Sequence, residues 1–208
     1  ASTVVATMAP VNFYTVSAET QDQSEDVAVQ AEPRVVLQDG INDQWTQEAS
    51  SVVVSDAVCA VEDGWLHIKS GSGNGNNPGT KPAIFVNPNK FNFDEAEFTM
   101  KSANVNTSTA GDRFGVYLGY DGDSKGMMIG YDDQGWFWQK YGASGDPWYS
   151  GTRVAAPAQN AEVKVKLSWT ADKKVTVEIN GATVFTAEDF SGIADLGNKI
   201  AIKGGSYA

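Results

Sequence analysis

Residues able to transfer protons, hold a metal or attack a substrate are few and scattered in this sequence. The only histidine, His67, sits in GWLHIKS, where it alternates with Leu66 and Ile68. No second ligand or base lies beside it, so it reads as an outward strand residue. The single cysteine, Cys59, lies among Val58, Ala60 and Val61 and reads as a small core residue rather than a nucleophile. HExxH, GxSxG and GxxxxGK are all absent. Paired carboxylates are the remaining catalytic route, and Asp94, Glu95 and Glu97 form the best cluster. Glu95 and Glu97 share a strand face, with Phe98 and Met100 continuing the opposite one, which is the pattern of a solvated strand rather than two acids facing across a cleft. Asp121, Asp123 and Asp132 in DGDSKGMMIGYD match loop positions 1, 3 and 12 of an EF-hand. Lys125 occupies position 5 and the flanks read as strands, so this is a hairpin turn. Structural calcium held by another loop, such as GSGNGNNPG at 71–79, stays open. No catalytic residue, metal ligand or cofactor is assigned.

Aromatic residues are the concentrated feature. Within GYDDQGWFWQKYGASGDPWYSGTR, residues 130–153, stand three Trp, three Tyr and one Phe. On a strand Trp136 and Trp138 lie on one side and Phe137 on the other. Both sides cannot be core in a two-layer sandwich unless something covers the outside. Either the Trp pair or Phe137 with Tyr141 is therefore expected to face solvent, and exposed aromatic clusters mark binding sites. Sugars suit such a surface, because the C–H face of a pyranose packs on an indole while Arg, Lys and Asn at the rim bond its hydroxyls. Arg113 and Tyr117 share a face opposite Phe114, Val116 and Leu118 and can join that rim. The candidate carbohydrate contacts are thus Arg113, Tyr117, Trp136, Trp138, Trp148 and Tyr149. The competing reading is that these rings fill a large core.

The elements that must position these residues are strands. Val163, Val165, Leu167 and Trp169 oppose Lys164, Lys166 and Ser168, and Val175, Val177 and Ile179 oppose Thr176 and Glu178. TADKK joins the two as a tight turn, and Asn180-Gly181, a pair that tolerates positive φ, reverses the chain into 182–187. Further strands are expected over 34–38, 57–62, 65–69, 83–86, 95–101, 113–120, 126–131, 135–141, 148–154 and 199–203. Roughly a dozen strands point to a jelly-roll (concanavalin-A-like) antiparallel β-sandwich, an all-β fold. The only helical candidates are 44–51 and 190–195.

The chain has 208 residues and a formal charge of −11, but the charge is uneven. Residues 1–63 hold eleven of the 26 carboxylates and one of the 15 bases, Arg34, so the remaining body is nearly neutral. A neutral body offers no electrostatic footprint for nucleic acid or a membrane surface. Residues 1–18 lack charged side chains and end Val16-Ser17-Ala18, the small-residue pattern of a signal-peptidase site. They read as a signal-peptide remnant of a secreted or cell-surface protein, with a floppy linker as the alternative. Residues 19–32 read as an acidic linker and 33–208 as the sandwich. On this basis residues 1–32 are expected to be removable.

FGVYLGYDGDSKGMMIGYDDQGWFWQKYGASGDPWYSGTRVAAP, KLSWTADKKVTVEINGATVF and GIADLGNKIAIKGGSY together resemble the concanavalin-A-like sandwich module of endo-α-N-acetylgalactosaminidases, glycoside hydrolase family 101, over residues 90–208. That resemblance implies a host enzyme releasing mucin-type O-linked disaccharides, whose catalytic carboxylates lie on a downstream barrel domain that these residues do not contain. The implied role is a noncatalytic, lectin-like accessory module whose partners are a carbohydrate, such as a mucin O-glycan, and the downstream catalytic domain of the same polypeptide. A structural spacer packed on a catalytic domain is the main alternative, and a jelly-roll glycosidase the third. Since no acid and nucleophile are paired, this chain is expected to release nothing from aryl glycosides of galactose, N-acetylgalactosamine or their core disaccharide. Turnover abolished by Glu95→Gln or Glu97→Gln would overturn that expectation.

Overall fold

Period-two alternation of apolar and polar side chains recurs through most of this chain, and each such run forms a strand. The computed structural model describes residues 5–8, 12–15, 34–37, 40–48, 57–69, 84–103, 114–122, 125–140 and 147–204. Among these the strands are β1 (Val5–Met8), β2 (Asn12–Thr15), β3 (Arg34–Leu37), β4 (Thr46–Gln47), β5 (Val58–Glu62), β6 (Trp65–Lys69), β7 (Ile84–Val86) and β8 (Glu95–Ser102). They continue with β9 (Phe114–Leu118), β10 (Met127–Asp132), β11 (Gly135–Lys140), β12 (Val163–Trp169), β13 (Lys174–Ile179), β14 (Ala182–Asp189) and β15 (Ile200–Lys203).

The described strands form two antiparallel sheets. The first has nine strands, with a main path β14-β13-β12-β8-β1-β6-β5. Strand β2 also pairs with β8, and β3 with β2. The second has six, in the order β11-β10-β9-β15-β7-β4. This is the all-β antiparallel sandwich expected from the sequence. The β12–β14 meander folds as its alternation predicts. Its last hairpin turns on Asn180 and Gly181 at φ 50° and 82°, the mirror-image geometry that matches the twist of the flanking strands.

The core lies between the sheets. Ala96, Phe98 and Met100 of β8, with Val165 and Leu167 of β12, meet Val116, Leu118, Ile129 and Trp136 of the second sheet in one buried cluster. The outer face of the first sheet carries the polar alternates instead. Lys166 pairs with Glu95 at 2.9 Å and Lys164 with Glu97 at 3.4 Å. Side-chain hydrogen bonding to Glu95 raises the pKa of Lys166 further.

The second sheet is different, because both of its faces are buried. Ile84, Tyr117, Tyr120, Met128, Phe137 and Ala201 form a separate apolar cluster. Neither Trp136, at 1% exposure, nor Phe137, at 0%, faces solvent, so the expectation that one side of β11 is open does not hold. Part of the cover comes from residues 147–154. The sequence predicts a strand there, but only one isolated bridge forms, between Gln139 and Trp148. Tyr149 N–H donates to the Trp138 carbonyl at 2.9 Å, and Trp136 N–H donates to the Val154 carbonyl at 2.8 Å. The six residues from Tyr149 to Val154 thus oppose the three from Trp136 to Trp138, and the excess forms a bulge. Gly135 permits this approach: its φ is +117°, and a Cβ there would lie 2.2 Å from the Val154 oxygen.

Two further expectations change. The helical candidate at 190–195 is a series of turns, and 44–48 contains strand β4 after a 3₁₀ turn at Gly40–Asn42; the rest of that candidate, 49–51, lies outside the described residues. The stretch read as a signal-peptide remnant, residues 1–18, supplies two sheet strands, while the linker read at 19–32 lies outside the described residues. β1 runs between β6 and β8, with Met8 opposite Leu66 and Met100, and β2 continues beside β8, with Phe13 opposite Ala96. Removal of residues 1–32 takes away one of the two ladder neighbours of β6 and those on one side of β8, leaving unpaired strand edges. A chain beginning at Pro33 is therefore expected to melt several degrees lower than the full chain, a few kcal/mol for a domain of this size. Coincident thermal and urea transitions for the two chains would show that these strands contribute nothing.

Candidate functional site

The residues expected to gather into one aromatic surface are distributed by the fold to different environments. Trp136 points inward from β11 and packs on Tyr131 with ring centroids 4.7 Å apart, within the main core. Tyr117 points to the other side of its strand as expected, but there it is 1% exposed and stacks near Tyr120 at 5.1 Å. Arg113 lies outside the described residues, as do Tyr141, Asp123 and the loop at 71–79. Trp138 is half-buried, edge-on to Phe190 at 5.3 Å and to Tyr149 at 6.2 Å. Its indole N–H is buried and finds no acceptor among the described residues. Tyr149 is also half-buried; it sits edge-on to Phe185 at 4.7 Å and donates its hydroxyl to the Thr152 carbonyl at 3.0 Å. Only Trp148 is open, with 41% of its surface exposed.

Trp148 nonetheless has a defined geometry. The bulge at 150–153 carries the Arg153 guanidinium to 5.0 Å from the Trp148 ring centroid and 5.3 Å from that of Phe137. A single guanidinium thus contacts a buried ring of the sheet and an exposed one on its cover. Arg153 is held in turn by Asp132, whose Oδ1 accepts from Nη1 at 2.6 Å while also accepting the Gln134 N–H at 2.9 Å. Both side chains of this pair are largely buried, so the pair is short and shielded rather than a solvated surface contact. Asp132 therefore serves as an anchor for Arg153, not as the twelfth position of a calcium loop. The sequence reading named Arg113 for the rim of an aromatic surface and weighed Asp132 only as a loop position of an EF-hand, and it did not single out Arg153; RVAA after a Gly-rich loop carries no spacing signal for this contact.

The remaining chemistry-capable groups are occupied or muted. His67 Nε2 lies 3.1 Å from the Glu62 carbonyl, to which it donates. Burial pushes the Cys59 thiol up to about 12, so at neutral pH it is a thiol and a poor nucleophile. Glu95 and Glu97 each face a lysine. No group of three or more His, Cys, Asp or Glu side chains among the described residues is placed to hold a metal ion.

A second concavity, not anticipated from the sequence, opens at the end of the second sheet where β9 turns into β10. It encloses about 330 Å³ and is lined by residues 119–121, 125 and 126, by residues 192–195, 198 and 199, and by Lys90. Gly119, at φ +60°, permits the two segments to meet, since a Cβ there would lie 2.5 Å from the Asp195 oxygen. Its residues run from Lys90 to Lys199, so no local motif announces it.

The family described as the endo-alpha-N-acetylgalactosaminidase N-terminal domain matches residues 45–205. Among solved structures, the carbohydrate binding module CBM66 from Bacillus subtilis superposes with a TM-score of 0.50 at 12% identity, over 79% of this chain and 89% of that one. At that identity the likeness is one of fold. The carbohydrate recognition domain of Emp46p, in its potassium-bound form, aligns with a TM-score of 0.43 at 16% identity over 78% and 82% of the two chains.

The environments of the two tryptophans predict opposite stability effects. Trp136→Ala removes a fully buried ring and is expected to cost about 3–5 kcal/mol of folding free energy, whereas Trp148→Ala is expected to cost about 1 kcal/mol or less. Urea unfolding of both variants checks this, and equal losses would contradict the assigned environments.

Proposed function

Because this chain belongs to the endo-alpha-N-acetylgalactosaminidase N-terminal domain family, we propose that it is a noncatalytic carbohydrate-binding accessory domain of a secreted glycosidase, acting beside a downstream catalytic domain on mucin-type O-glycans. The observation that carries the binding role is the mounting of Trp148. Its ring is exposed, yet it is fixed by the bridge to Gln139 and by the Arg153 stack. A ring held in place loses little entropy when a pyranose packs on it, which favours an aromatic platform over a mobile surface side chain. Half-buried Tyr149 lies beside it in sequence, and the guanidinium supplies nearby donors for sugar hydroxyls. The fold shared with the carbohydrate binding module CBM66 is in keeping with this reading. No helix of the described residues is long and apolar enough to cross a membrane, and secretion belongs to the proposal through the family's glycosidase context.

The alternative, a spacer packed against a neighbouring domain, is favoured by one observation. Strand β5 ends the main path of the first sheet, and its Val58 and Val61 are 40% and 43% exposed, an apolar edge suited to another protein surface.

The two readings separate on one pair of measurements. Trp148→Ala is expected to weaken binding of a mucin glycopeptide carrying the O-linked disaccharide by about 1–3 kcal/mol while leaving the melting temperature nearly unchanged. Calorimetric affinity that stays the same in this variant, with stability intact, would remove Trp148 from the sugar site and leave the spacer reading standing.

A further inference from the structure

The concavity at the β9–β10 end is a different place from the Trp148 platform, and its chemistry is different. Three lysines line it, Lys90, Lys125 and Lys199, in a protein whose formal charge is −11. None of the three makes an ion pair among the described residues. Two carboxylates share the lining, Asp121 and Asp195. Asp195 is partly committed, since its Oδ1 accepts the Gly197 N–H at 3.0 Å. Three lysines against two carboxylates leave the lining with a positive excess, in a body that is otherwise nearly neutral.

The walls are fixed from behind. Lys173 donates its ammonium to the carbonyls of Ile193 and Ala194 at 2.6 and 2.8 Å, tying down the 192–199 loop. Tyr120 takes the backbone carbonyl of Lys199 at 3.2 Å through its N–H, and its hydroxyl bonds Glu48. Tyr120 is itself 4% exposed, so that wall is anchored in the apolar cluster beneath.

One lining group is left wanting. The side-chain oxygen of Asn198 is buried and has no hydrogen-bond donor among the described residues. Buried acceptors in folded proteins are satisfied as a rule, and one without a donor beside a concavity asks for a donor from whatever occupies it. Sulfate lacks such a donor at neutral pH, hydrogen phosphate carries an O–H but no ring to fill the recess, and a metal cation would meet a lining with three lysines. A compact molecule with both negative charge and hydroxyl donors satisfies the lysines and Asn198 together. About 330 Å³ is at the small end of ligand pockets, room for a single ring.

We propose that this concavity is a second binding site, selective for an acidic monosaccharide unit, with the lysines receiving the carboxylate and Asn198 a ring hydroxyl. The site is separate from Trp148, so an accessory domain built this way contacts a neutral sugar on an aromatic face and a charged sugar in a lysine-lined recess.

Titration of the ¹⁵N-labelled chain at low ionic strength with glucuronate, glucose and sulfate tests this. Glucuronate is expected to give saturable shifts confined to residues 119–126 and 192–199, with an affinity in the millimolar range typical of one small ligand. Glucose is expected to bind at least about tenfold more weakly, and added salt to weaken glucuronate several-fold. The double variant Lys125→Gln, Lys199→Gln is expected to lose about tenfold or more in glucuronate affinity with its spectrum otherwise retained, and Asn198→Ala to lose the preference for glucuronate over sulfate. Trp148→Ala is expected to leave glucuronate binding unchanged, which keeps failure here distinct from failure of the platform. Absence of saturable shifts, equal affinity for glucose and glucuronate, or an undiminished double variant overturns the site. Sulfate binding as tightly as glucuronate to the parent chain overturns the saccharide assignment.

Discussion

A sheet that is apolar on both faces must be covered on both, and much of the architecture follows from that demand. The second sheet meets the first through Val116, Leu118, Ile129 and Trp136, yet its outer face carries Tyr117, Met128, Phe137 and Ala201, all essentially shut off from solvent. Burying a large apolar side chain is worth about 1.5–3 kcal/mol, so leaving several exposed would consume much of a domain's marginal stability. The stretch after β11 therefore cannot wander: it folds back over the strand that precedes it, and both ends of that return are held by backbone hydrogen bonds to β11. The covering role also explains why it is irregular. A regular strand would place its residues beside β11, whereas a bulge places Arg153 above Phe137.

Placing a guanidinium over an apolar face sets an electrostatic problem, and Asp132 solves it. The charge is taken out of water only partly, it is paired at 2.6 Å, and its planar face stays free to stack on rings to either side. Asp132 stands at the end of β10, directly opposite Gly135 in the ladder. The same tight hairpin that permits Val154 to approach thus also supplies the counterion. Trp148 is the surface expression of this arrangement, while Trp136, on the inward side of the same β11 strand, belongs wholly to packing.

What could be read in the sequence was what depends on local periodicity. Val163 to Ile179 alternates so regularly that strand, turn and inward face all follow, and Glu95 with Glu97 could be assigned to a solvated face by the same rule. Tyr117 was correctly separated from Phe114, Val116 and Leu118, but alternation reports which side a residue takes and not what lies over that side. Hence Trp136 and Trp138, equivalent by spacing, are a core residue and a half-buried one. The residues at 5–8 and 12–15 were illegible for another reason: short apolar runs without charges are written alike in leaders and in interior strands of a sheet. The recess lined by Lys90, Lys125 and Lys199 depends on three segments meeting, and nothing in any one of them encodes the others. In Lys125 the sequence displayed a real feature, a cation in a turn otherwise rich in acids, which had meaning only against Asn198 and Lys199.

The place of β1 in the first sheet has a kinetic meaning. Strands β12, β13 and β14 pair with immediate sequence neighbours and can zip from their turns. β1 instead bonds residues far along the chain, Ala6 facing Ile68 on one side and Ser102 on the other. Such a contact closes long loops before it returns any ladder energy, and that makes it slow to form. β1 must find both of its neighbours across long loops, while β12, β13 and β14 close on one another through short turns. The ladders of β1 are thus expected to close later than the meander of β12, β13 and β14 in the same sheet.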